Sequence, residues 1–217
     1  MQMLTYERQD RTRCFASAAI GALLLFLLSL WFHPVAAGAD PRTCIQDAGK
    51  AVEAADAKVF ARLVDVDAIL EQALNCLGRF ARDRQKAREF PPMLALLFTQ
   101  AAQENVRTLL LNEARAFVLQ GIASGAFAGR KPRHVGTQGL LAPLFADVST
   151  GRKEVRHIGQ ARWDGSGWLV PFVLHDWGNG ESYDVTGRVI SVDGGLRLVS
   201  LANMDAVISA VLRGSDL

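Results

Sequence analysis

His175, Asp176, Tyr183 and Asp184 are the residues whose types and spacing best suit proton chemistry, and the turn Gly178-Asn179-Gly180 lies between them. If the flanking runs are paired strands, an imidazole or carboxylate could stand beside a phenol and move a proton next to a carbonyl. The competing reading, preferred here, is a polar hairpin end that faces water. Trp163, Trp168 and Trp177 bracket the preceding hairpin. With His175 and Tyr183 they are the candidate ligand-binding residues, because large aromatics suit a pocket wall. Packing between sheet and helix is the simpler use of such rings. No catalytic residue can be assigned from a motif. His134, His157 and His175 are scattered, and the chain has no His-Glu-x-x-His, no Cys-x-x-Cys and no Gly-x-Ser-x-Gly. No metal and no cofactor are therefore expected.

Whatever positions these groups lies beyond an N-terminal segment of a different kind. Arg8, Arg11 and Arg13 precede an uncharged apolar run over residues 15–32, and Val35-Ala36-Ala37 supplies small residues for cleavage. Residues 1–37 read as a signal peptide or signal anchor. Cleavage is the preferred outcome, and it delivers residues 38–217 as one exported, periplasmic domain. Uncleaved, residues 15–32 would hold that domain outside the inner membrane. The whole chain carries 24 Lys and Arg against 22 Asp and Glu, a balance that calls for no nucleic acid. Cys44 and Cys76 form an even pair in an oxidising compartment, so a Cys44–Cys76 disulfide is expected.

The exported part divides into a helical half and a strand half. Thr43 to Gln46 fits a capping box ahead of Ile45, Ala48 and Val52. Asp56 can cap a second short helix. Asp65 or Asp67 can start a third, with the stripe Val66, Ile69, Leu70, Ala73, Leu74 and Leu77. Pro91-Pro92 ends that segment, and a long helical stretch from Leu94 to Val118 follows, with a break expected near Asn112. Arg79, Arg82, Arg84, Lys86 and Arg88 make a basic helix end, suited to an anionic surface or simply to the helix dipole. Leu96, Leu111 and Leu119 lie off the main stripe.

Strands are expected near residues 153–163, 168–177, 182–192 and 196–203, with turns at residues 164–167, 178–180 and 193–195. Pro171 implies an edge or a bulge, and Asn203 can cap a last helix. The fold class is α+β: N-terminal helices packed across a four-stranded antiparallel meander, with a short C-terminal helix. The long stretch should lie across the sheet, burying Leu109, Leu110, Phe117 and at least one of Trp163 and Trp168.

The alternating short helices, the phrase from Ala54 to Val66 (AADAKVFARLVDV) and the four-strand end resemble exported members of the nuclear-transport-factor-two-like, or cystatin-like cone, superfamily, over roughly residues 43–212. The resemblance implies a sheet curled around a helix to leave a cone-shaped pocket. It also implies a wide choice of roles, since the superfamily includes enzymes, ligand binders and interaction modules. The functional expectation is a non-enzymatic module of the cell envelope that binds an envelope protein or a small apolar ligand. A periplasmic lipid carrier is the alternative, and a small acid–base enzyme using the cone pocket is a third. The size and lining of an internal pocket discriminate among them.

Overall fold

The computed structural model describes residues 40–90, 92–130 and 151–214. The expected signal segment lies outside the described residues. Helix α1, Pro41–Ala54, begins one turn earlier than the capping box suggested: Pro41 opens it and the Asp40 carboxylate accepts Arg42 N. Ala55, in the left-handed region at φ 60°, ends it. Asp56 then caps α2, Ala57–Leu63, by accepting Lys58 N and Val59 N, and Asp65 caps α3, Val66–Arg82, by accepting Ala68 N.

The long stretch is two helices, α4, Pro92–Gln100, and α5, Glu104–Ala123. The break falls at residues 101–103 rather than at Asn112. Gln103 turns extended there, and Glu104 places a carboxylate in the first turn of α5, where the helix dipole favours it.

Five strands form one antiparallel sheet: β1, Lys153–Arg156; β2, Arg162–Trp163; β3, Trp168–Asp176; β4, Glu181–Val192; and β5, Gly195–Leu201. The order is β1-β3-β4-β5, with β2 also on β3. The expected first strand is thus split, and the split lies opposite Pro171. Gly159 N donates to Pro171 O at 2.8 Å, so the amide that Pro171 lacks faces the interruption rather than β4. Helix α6, Met204–Gly214, closes the chain's described part. Asn203 does more than start it: its side chain accepts Thr186 N and donates to Asp184 O, tying α6 to β4.

Helices cover one face of the sheet, but α1 is the one that reaches β1, β3, β4 and β5, whereas α5 packs on α2 and α3. Two glycines explain the exchange. A Cβ on Gly49 would stand 3.3 Å from Val155, and one on Gly187 would stand 2.6 Å from Leu198 and 3.6 Å from Ile45. Without those side chains α1 settles close to the sheet, and Ile45 is 2% exposed. The buried set expected for the long stretch holds only in part. Leu110 is buried, Phe117 and Trp168 are half-buried, and Leu109 and Trp163 are 41% and 53% exposed.

The expected disulfide is absent: Cys44 and Cys76 are both free, buried thiols. They sit in different cores. Cys44 Sγ donates to Leu63 O and Leu196 O beside Ile45 and Val170, and Cys76 Sγ donates to Asp205 Oδ1 at 3.0 Å beside Phe80, Phe90 and Met204. Burial pushes the Cys44 thiol up to about 11. Burial and then the Asp205 carboxylate push Cys76 up to about 12, so both stay protonated at neutral pH.

Candidate functional site

Between the helices and the covered face of the sheet lies a cavity of about 300 Å³. Ile45, Ala48, Gly49 and Val52 of α1 form one wall, and Phe172, Leu174, Val185 and Leu198 of the sheet form the opposite one. Phe60, Ile69, Leu70, Val118 and Ile122 close the side contributed by the other helices, and Val207 of α6 closes another. Phe127 completes the lining. It folds back over α5 because Gly121 leaves room: a Cβ there would lie 2.5 Å from the ring. Among the described residues the lining is aliphatic and aromatic apart from one lysine.

That lysine is Lys153. Its Nζ donates to Asp176 Oδ2 at 2.6 Å, and the two side chains are only 19% and 9% exposed. Asp176 also accepts Gly178 N at 2.8 Å. Burial lowers the Lys153 ammonium pKa from its ordinary value, against the opposing pull of Asp176.

The proton-moving group read from the sequence does not converge. Strand alternation sends Val170, Phe172 and Asp176 of β3, and Tyr183, Val185 and Val189 of β4, to the helix-covered face. His175 and its partner Ser182 point the other way, where His175 Nδ1 and Ser182 Oγ share a hydrogen bond of 2.8 Å. On the covered side the Tyr183 hydroxyl donates to Glu181 and accepts from Asn179. Burial and then Glu181 push the phenol up to about 12. A phenol held so firmly protonated is a poor base at neutral pH.

Glu154 is the cross-strand neighbour of His175, so Glu154, His175 and Ser182 stand in a row across β1, β3 and β4. The carboxylate is engaged elsewhere: Glu154 Oε2 accepts Arg156 and Trp177 Nε1, each at 2.8 Å. Those two bonds pull Glu154 down to about 2, the Arg156 guanidinium contributing most. With Glu154 engaged by Arg156 and Trp177 rather than by the imidazole, these three residues do not form the hydrogen-bonded chain of a nucleophilic triad.

The tryptophans do not line the cavity. Trp163 and Trp168 meet edge to face at 5.4 Å at one end of the sheet, and Trp177 stands exposed against His175 and Arg156. Of the five sequence-based ligand candidates, none is among the cavity's lining residues, although Tyr183 belongs to the core beside it. The residues that do line it carry no motif. Their only sequence signal is helical and strand periodicity, which reads as ordinary core.

The basic helix end is partly used within the fold. Arg79 pairs with Asp205 at 2.6 Å and Lys86 lies 3.6 Å from the Phe80 ring centre, while Arg82, Arg84 and Arg88 are exposed. Among the described residues, no helix is long and apolar enough to cross a membrane. Set against protein-family models, curated proteins and solved structures, the chain matches none of them.

Proposed function

We propose that this chain is a non-enzymatic binding protein that holds a small apolar molecule between α1 and the sheet. The observation that carries the reading is the cavity's lining, where Lys153 is the single charged side chain among the described residues and is already paired. Its volume of about 300 Å³ falls at the lower end of the range of roughly 300–1,000 Å³ usual for ligand pockets. An apolar cavity of about 150 Å³ already suffices to take up benzene.

The separation of His175 from Tyr183 weighs against acid–base catalysis at this site. Export by residues 1–37 remains part of the proposal, and it would make the protein an envelope carrier or receptor. Titration with the neutral fluorophore N-phenyl-1-naphthylamine tests the binding step. Emission should rise with a Kd of about micromolar order, near −8 kcal/mol. Ala48→Leu, which extends the α1 wall into the space, should weaken binding about tenfold or more while leaving the melting temperature unchanged or raised. No emission change with folded wild-type protein would overturn the reading, as would equal binding by Ala48→Leu.

A further inference from the structure

We propose that the cavity selects molecules whose buried end is uncharged, such as a hydrocarbon chain ending in a hydroxyl or carbonyl, over the same chain ending in a carboxylate. This rests on the binding reading above and names the ligand class it would take. An anionic end group needs a cation, a set of donors or water. Among the described residues Lys153 is the one charged side chain in the lining, and Asp176 already stands 2.6 Å from its ammonium. Asp176 is fixed in turn by Gly178 N and is 6% exposed as a residue, so it cannot swing away without leaving that amide behind. A ligand carboxylate brought to Lys153 would meet a second negative charge at contact distance and would lose its own hydration, an unfavourable exchange in apolar surroundings.

Neither Arg156 nor Glu181, the charged groups next to this pair and Tyr183, relieves that repulsion. Arg156 pairs with Glu154 and, like it, alternates to the face away from the helices. Glu181, behind Tyr183, adds negative charge rather than positive. The described helices contribute no charged side chain to the lining. An uncharged end meets none of these costs. It needs only apolar contact, with at most one neutral hydrogen bond near the ion pair.

The test is displacement of N-phenyl-1-naphthylamine from purified protein by decanol and by decanoate, at about pH 8 where a carboxyl is ionised. Decanol should displace the probe at a concentration about tenfold lower, or less still, after allowance for their different solubilities. Asp176→Asn removes the Asp176 negative charge that a ligand carboxylate would meet, so decanoate should gain about tenfold while decanol changes little. In Lys153→Met decanoate should stay weak. Equal or stronger displacement by decanoate from wild-type protein would overturn the selectivity and leave the binding reading standing. Failure of the probe itself to bind would remove the binding reading instead. Should Asp176→Asn not fold, the wild-type comparison and Lys153→Met still decide.

Discussion

The two faces of the β3–β4 pair come from alternate residues of the same strands and differ in nearly every physical respect. The covered face presents Val170, Phe172, Val185 and Val189, all buried, and forms a wall of the cavity and its core. The other face presents His175, Ser182, Asp184 and Arg188 among charge pairs that lie partly in water. Asp164, for example, is drawn down to about 2, first by the Ser166 amide and then by the Ser166 hydroxyl and Arg188. Such pairs hold side chains in place but add little stability, because water screens them. Most of the exposed ion pairs and the apolar cavity therefore lie on opposite sides of one sheet, with the buried Lys153–Asp176 pair and Tyr183 as the polar exceptions on the covered side. A shift of register by one residue would exchange them.

Truncation should expose that contrast most strongly. Phe172→Ala removes a buried ring from the covered face and should cost about 3–5 kcal/mol in chemical denaturation. Its neighbour on the other face, His175→Ala, should stay within about 0.5 kcal/mol. Similar costs for the two would mean that the faces are not energetically distinct.

The thiols sharpen the comparison at an intermediate level. Cys44 lies behind the covered face and Cys76 in the second core, both protonated and enclosed. Alkylation by iodoacetamide should be slower in the native protein than in denaturant by about a hundredfold or more at each site. Intact mass should not change on reduction. A mass shift corresponding to a reducible Cys44–Cys76 bond would restore the disulfide and contradict the placement of the two sulfurs.

The smallest effect belongs to the open face. Glu154 titrates at about 2 rather than at its ordinary value of 4.5. Because its folded pKa is depressed, whatever it contributes is present above the ordinary value and is lost as pH falls toward about 2. Trp177→Phe deletes the indole donor, so carboxyl-detected NMR should show the Glu154 midpoint moving upward, with little change in stability at neutral pH. A midpoint unmoved by that substitution would remove Trp177 from the account.

Much of this was legible in particular residues. Asp56 and Asp65 mark helix starts, and Gly180, Asp193 and Gly194 take positive φ at turns read from composition. The misplaced helix has a physical reason: α1 and α5 both carry apolar residues, and the choice between them depends on close approach at Gly49 and Gly187, which periodicity does not encode. The disulfide expectation counted cysteines and compartment but had no access to distance. The opposite facing of His175 and Tyr183 could have been found. A loop centred on residues 178–179 pairs His175 with Ser182 and Leu174 with Tyr183, which puts the imidazole and the phenol on different faces. The cavity could not, since its walls come from segments as far apart as Ile45 and Val207 and carry no shared pattern.

The interruption opposite Pro171 has a bearing on how crowded molecules of this chain behave toward one another. An exposed strand offers a template on which another chain can build, the first step toward aggregation. Here one border of the sheet consists of a four-residue and a two-residue strand separated by residues 157–161, with His157 at φ 48°. At the other border Leu198 is bridged by Val64, and its carbonyl accepts Asp65 N at 2.8 Å. Among the described residues neither border presents a long unbroken row of free amides and carbonyls, so a second chain finds only short templates there.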